Sequence, residues 1–271
     1  MWKSLVFVSL LTWMIWFFSL VYADYVLFRH EEKSPWEYLR TPIRWPLGYF
    51  NSWIRRSVSC PPILDMKKLF PEHADFLAAK EQIKEEALYV LKNFEIPSFD
   101  QVDASFSRIA DYRWKTFILK AYGDLHVNCT HTPVTANLLK KHSKKIWGAM
   151  FSILEPGFFI KPHQGPSAGA MRYHLCLQVP KHGTAKIRVH SDWITYREGE
   201  DYLFYDFYNH EVRVEAPLDD DVRIVLFMDV ARPDIRQPLK ALMNMIVNNM
   251  KFAKKVKDLN ARGEVQKKIS D

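Results

Sequence analysis

The sequence predicts a mainly β protein, a double-sheet jelly roll or barrel with flanking helices, carried behind an N-terminal transmembrane helix. Three observations predict it. From Ile146 onward, short apolar runs are separated by turn residues at the spacing of a double-sheet architecture. Outside that region, apolar residues recur at helical steps. At the N-terminus no charged residue falls between Lys3 and Asp24, a stretch of about 20 residues that matches a bilayer core.

The apolar run at 4–23 is bulky to its end and has no small-x-small site beyond it, which favours an uncleaved anchor over a signal peptide. Lys3 precedes it, whereas Arg29, Lys33, Arg40, Arg44, Arg55 and Arg56 follow, so the main domain is expected on the cytoplasmic side. The juxtamembrane segment 24–62 interleaves aromatics with Arg and Pro, as a headgroup interface or a linker packed on the domain would. The formal charge of +7 is concentrated in bases near the two ends that flank apolar segments, which points to anionic lipid and away from nucleic acid. Cys60, Cys129 and Cys176 lack metal-ligand spacing and read as inert thiols in a reducing compartment.

A helical and mixed flank is expected over 63–145. Phe76, Ala79, Ile83, Ala87, Val90 and Leu91 mark a helix from about Pro71 to Phe94, stopped by Pro97. Trp114 to Tyr122 reads as a strand, and Pro133 to His142 as a short helix. The core, 146–233, contains candidate strands Ile146–Leu154, Tyr173–Val179, Ala185–His190, Tyr202–Asp206, Glu211–Glu215 and Val222–Val230. The remainder, 234–271, reads as a basic amphipathic helix and tail, helical over Leu239 to Val256, which packs on the barrel or touches the membrane.

Within the core, His163 and His210 fall at strand ends bordering a sandwich mouth, where imidazoles suit Fe(II). Arg172 and His174, two apart on a strand, share one face, with Tyr173, Leu175 and Leu177 on the other. Arg223 interrupts an apolar strand. Buried arginine needs an anion, and few acids lie nearby in sequence, so a small carboxylate ligand is the expected partner of this pair of arginines.

These residues sit in a longer pattern: Phe151-Ser-Ile-Leu-Glu-Pro-Gly157, His163-Gln-Gly-Pro, Arg172-Tyr-His-Leu175, Trp193 with Glu198-Gly-Glu200, Phe204-Tyr-Asp-Phe-Tyr-Asn-His210-Glu, and Arg223 through Asp229-Val-Ala-Arg-Pro233. The segment from about Trp147 to Pro233 resembles the aspartyl/asparaginyl β-hydroxylase family, Fe(II)- and 2-oxoglutarate-dependent oxygenases on a double-stranded β-helix. With the anchor and the helical flank from Leu64 through Lys92, the layout is similar to that of membrane-anchored lipid A hydroxylases. The resemblance implies that His163 and His210 hold iron, and that Ser152, Arg172, His174 and Arg223 hold 2-oxoglutarate, with Arg223 on its distal carboxylate. It implies O2-dependent hydroxylation of an unactivated carbon coupled to decarboxylation of 2-oxoglutarate.

One departure stands out. Gly165 occupies the place where many relatives in the wider oxygenase class carry a metal-binding carboxylate. Asp206, four residues before His210, reads either as an outer acceptor near the metal or as a structural aspartate. Three functions compete: hydroxylation of an acyl chain on a membrane lipid, peptidyl aspartyl/asparaginyl hydroxylation, and a non-catalytic membrane-tethered binding module. The anchor and basic aromatic segment favour the first, Gly165 the second, and the missing carboxylate motivates the third.

Overall fold

The computed structural model describes residues 12–15, 44–103, 107 and 109–268. In chain order its elements are α1 (Arg44–Ser57), α2 (Met66–Leu69), α3 (His73–Ala78), α4 (Lys80–Asn93), β1 (Phe94–Glu95), α5 (Phe99–Val102), β2 (Trp114–Ala121), α6 (Pro133–Lys141), β3 (Ile146–Leu154) and β4 (Phe159–His163). They continue as β5 (Ala170–Gln178), β6 (Thr184–Val189), β7 (Asp192–Thr195), β8 (Asp201–Phe204), β9 (His210–Glu215), β10 (Arg223–Ala231), α7 (Leu239–Met250), α8 (Lys254–Gly263) and β11 (Gln266–Lys267). The expected membrane anchor, 4–23, lies outside the described residues except for 12–15, as does the juxtamembrane stretch before residue 44. Among the described residues, no helix is long and apolar enough to cross a membrane.

Two antiparallel sheets form the core, one in the order β2-β3-β10-β5-β8 and one in the order β4-β9-β6-β7. This mainly β arrangement with flanking helices is compatible with a jelly roll. Side-chain alternation assigns the faces. On β10, Ile224, Leu226 and Met228 join Phe76, Ile83 and Ala87 in the cluster beneath the helices. Val225 joins Met150, Cys176, Ile187 and Val212 in the second cluster, between the sheets. Strand β3 is buried along its whole length because both of its faces are covered.

Several elements depart from the sequence reading. Strands β4 and β7 were not among the expected ones. Each is the edge of its sheet, and Phe159-Ile-Lys-Pro-His carries too few apolar residues and a proline that only an edge tolerates. The helix expected from about Pro71 to Phe94 breaks at Ala79, whose φ of −97° and ψ of 13° separate α3 from α4. The helix expected over Leu239 to Val256 is likewise two. The chain turns at Phe252, whose N–H donates to the Asn249 carbonyl, and extended Ala253 starts α8.

The flank is tied to the barrel by charge. Asp201 accepts from the Tyr173 hydroxyl at 3.0 Å and meets His73 Nδ1 at 2.8 Å. Glu86 of α4 accepts from the N–H groups of Val134 (2.6 Å) and Thr135 (3.0 Å) and from the Thr135 hydroxyl. It thereby caps the N-terminus of α6, where Thr132 makes no side-chain cap bond.

Candidate active site

His163 ends β4 and His210 begins β9, and the two are cross-strand partners. Their rings lie 4.1 Å apart between centroids. Nδ1 of His163 is 2.8 Å from the Lys161 carbonyl, and Nδ1 of His210 is 2.9 Å from the Tyr208 carbonyl. With Nδ1 turned to a backbone acceptor two residues back, each ring keeps Nε2 as its ligating nitrogen. Burial, then the neighbouring His210, pushes the His163 pKa well below its ordinary value. Burial chiefly pushes His210 down to about 4. Both imidazoles are therefore neutral near pH 7, the form that binds a metal.

No third ligand joins them: the described residues contain no group of three or more His, Cys, Asp or Glu side chains that could hold a metal. The reason Gly165 carries no side chain is visible. A Cβ there would overlap the Asp206 carboxylate, which fills the space, and the Gly165 N–H donates to the Asp206 carbonyl at 2.8 Å. Asp206 is 1% exposed. Its Oδ2 takes Arg172 Nη2 at 2.5 Å, and its Oδ1 has no hydrogen-bond partner.

Register and alternation gather the remaining residues. Arg172 and His174 of β5 lie opposite Asp229 and Phe227 of β10, and Ser152 of β3 lies opposite Val225. Arg172 and Arg223 part company here. Arg172 has protein partners, Asp206 and Asp229 (Nη1 to Oδ1, 3.2 Å), and its guanidinium stacks 3.8 Å from the Phe227 ring centroid. Arg172 thus carries two protein carboxylates of its own, and Arg223 none among the described residues. Asp206 and Asp229, 34 and 57 residues downstream of it in the chain, supply the charge.

Arg223 fits the expectation. It is 1% exposed and donates to the Ser152 carbonyl at 3.3 Å, while its Nε has no partner. Burial lowers its pKa, with only Tyr196 and Cys176 raising it. His174 sits beside it, its Nδ1 2.7 Å from the Tyr196 hydroxyl and its Nε2 without a partner. Burial, then Arg223, pushes the His174 pKa well down. The Ser152 hydroxyl accepts from Trp114 Nε1 at 3.0 Å. A buried cation lacking an acid, beside an imidazole nitrogen lacking a partner, fits a bound carboxylate such as the distal end of 2-oxoglutarate.

Sequence reasoning missed Trp114, Tyr196 and Asp229 as parts of this site. Tyr196 meets His174 across the sandwich and Trp114 meets Ser152 from the neighbouring strand of the same sheet, and nothing local marks either. Asp229 stood within the recognised Asp229-Val-Ala-Arg-Pro motif, and its alternation with Arg223 on one strand was the available signal.

The family model for aspartyl/asparaginyl β-hydroxylase matches residues 78–233. This chain belongs to that family. The match includes α4, α6 and β2 as well as the strand region, so the family unit is wider than the third of the chain that the motifs cover. Membership makes the chain a hydroxylase of the 2-oxoglutarate-dependent class. It is 34% identical over 195 residues to the ornithine lipid ester-linked acyl 2-hydroxylase of Rhizobium tropici, covering 69% of this chain and 67% of that one. It is 33% identical over 127 residues to human aspartyl/asparaginyl beta-hydroxylase, covering 45% of this chain but only 16% of the human protein. Among solved structures, a 2OG-Fe(II) oxygenase family oxidoreductase from Burkholderia pseudomallei overlaps 50% of this chain and 78% of its own at a TM-score of 0.35 and 15% identity.

Proposed function

We propose that this family member hydroxylates an acyl chain of a membrane lipid, with Fe(II) held by His163 and His210 and 2-oxoglutarate held by Arg223, His174 and Ser152. The observation that carries the cofactor assignment is the pair of unpartnered buried atoms, Arg223 Nε and His174 Nε2, deep between the sheets. When bound, iron and 2-oxoglutarate supply the oxidation of an unactivated C–H bond by O2. The chain supplies the rest. Arg223 clamps the distal carboxylate, and Tyr196 fixes the His174 ring so that Nε2 faces the same pocket. Arg172, backed by Asp229 and Phe227, holds Asp206 over Gly165 next to the histidine pair. The apolar walls of the sandwich exclude water from the reacting carbon.

A lipid substrate is supported by the rhizobial relative, whose name specifies an ester-linked acyl group and two thirds of whose length aligns here. The uncharged run at 4–23 and the base-rich segment after it support the same reading, with the domain on the cytoplasmic face of a membrane as part of the proposal. Gly165 lends no weight to a peptide substrate or a degenerate site, since the Asp206 carboxylate accounts for it by packing. Mass spectrometry of total lipids from cells with and without the gene is the test. A lipid one oxygen heavier in the gene-bearing cells is expected, and unchanged lipids would remove the reading.

A further inference from the structure

Helix α7 carries more apolar surface than the barrel covers. Leu239, Met243 and Val247 are buried at i, i+4 and i+8, which seats one stripe on the core. Leu242 (38% exposed), Met245 (56%) and Ile246 (41%) form a second stripe at i, i+3 and i+4, and Phe252 (65%) extends it past the helix end. Asn244 and Asn248 lie on the other side of the helix. Packing on the fold explains the first stripe and leaves the second without a partner within the described residues.

Charge and position say what covers it. Between Asp234 and Asp258 there is no acidic residue, while Arg236, Lys240, Lys251, Lys254, Lys255 and Lys257 are basic. Two of these face acids of the fold: Lys255 meets Asp103 at 3.1 Å and Lys251 meets Asp124 at 3.7 Å. Helix α1 also lacks acids, as does the whole stretch from Tyr38 to Leu64, which contains Arg40, Arg44, Arg55 and Arg56. Trp53 of α1 is half exposed beside the fully buried Ile54.

Both helices grip one loop. Asn51 of α1 donates from Nδ2 to the Pro166 carbonyl (3.0 Å) and accepts from the Ala168 N–H (2.9 Å). Met243 of α7 lies so close to Gly169 that a Cβ there would overlap it. The segment 166–169 begins three residues after His163. The exposed stripe and the base-rich helix entering from the apolar N-terminal run therefore flank the stretch of chain that leaves the histidine pair.

We propose that the Leu242, Met245, Ile246 and Phe252 face of α7 and its following turn inserts into an anionic lipid bilayer, with α1 beside it, and so holds the histidine end of the sandwich against the membrane surface. The apolar side chains enter the acyl boundary while the surrounding bases meet the headgroups. A second copy of the chain would bring the same net positive charge to this face and is disfavoured. This inference deepens the lipid-hydroxylase reading and rests on it for its purpose, but its first test reads insertion alone and does not use hydroxylation.

The full chain with Cys60→Ser carries a single nitroxide at Met245→Cys or, as the opposite face, at Asn244→Cys. It is reconstituted in nanodiscs of phosphatidylcholine with about one third phosphatidylglycerol, and collisions with oxygen and with a water-soluble nickel chelate are compared. The Met245 label should favour oxygen and the Asn244 label the nickel chelate. A Met245 label that favours nickel would overturn the proposal. One shielded from both reagents would put a protein there and overturn it equally. As a second reading, Met245→Glu with Ile246→Glu should cut turnover of bilayer-borne lipid about tenfold or more and leave 2-oxoglutarate binding unchanged. Insertion without any lipid oxidation would sink the proposed substrate and leave the docking face. Oxidation without insertion would do the reverse.

Discussion

Arg223 and Gly165 show what single residues do here. A buried guanidinium with no acid beside it costs the empty protein stability that bound 2-oxoglutarate returns. Arg223→Met should therefore weaken 2-oxoglutarate binding by about 1.5–3 kcal/mol, the worth of hydrogen bonds to a charged group. It should leave the melting temperature of the ligand-free protein unchanged or higher, because no acid is stranded. Calorimetric titration and thermal melts read the two effects, and a large loss of ligand-free stability would mean that Arg223 is structural. Gly165→Ala drives a methyl into the Asp206 carboxylate and should cost about 1–3 kcal/mol, the usual price of overpacking. In an Asp206→Ala background the same Gly165→Ala change should cost far less in urea titrations, while an additive double mutant would refute the overlap. The meeting of the two histidines and the burial of Arg223 were legible in the sequence, because His163 and His210 fall at strand ends within a recognisable pattern and Arg223 interrupts an apolar strand. The aspartates that hold Arg172 were not, since the register of β5 on β10 and the fold of the 204–210 segment bring them there.

At the scale of elements, periodicity located what was long and two-sided. Strand β3 matched its expected limits, and β10 began one residue late, because nine-residue apolar strands have few alternatives. The short edges β4 and β7 escaped because nearly all of each is exposed or only partly buried, which leaves no apolar alternation to read. The breaks at Ala79 and around Phe252 escaped because the apolar period runs on past both turns. Tertiary contacts also decide one helix start. Thr132 precedes Pro133, a sound N-terminal signal, yet the cap comes from Glu86, almost fifty residues upstream. Glu86→Ala leaves two backbone donors and the Thr135 hydroxyl without their acceptor. It should destabilise the domain by about 1–3 kcal/mol in urea unfolding, with α6 amides losing hydrogen-exchange protection first. Glu86→Gln keeps an acceptor and should cost less. Equal losses would show that the contact is replaceable by water.

For the whole molecule, the decisive feature is that one sandwich interior holds three neutral histidines beside buried arginines. Burial pushes His163 and His174 well below the ordinary value and His210 from 6.5 to about 4. Below pH 6.5 the unfolded chain takes up protons at these positions that the native chain refuses, so stability must fall with pH. The contribution of His210 is complete above about pH 6.5 and is lost as pH drops to about 4, roughly 3 kcal/mol over that range at 1.36 kcal/mol per pH unit, and His163 and His174 add to the fall. Melting temperatures of chelator-treated protein should slope downward through this window, beginning well above the range where the carboxylates titrate. His210→Gln should flatten part of the slope, because glutamine takes up no proton in either state. Metal adds a second reading, because metal held by neutral rings is displaced only where the native rings themselves protonate: the metal-loaded protein should melt higher than the chelated protein by an offset that stays constant from pH 6.5 down to about 4 and shrinks below it. Superimposed profiles with and without metal would mean that the two rings do not bind it, and a flat chelated profile would mean that their burial is relieved in solution.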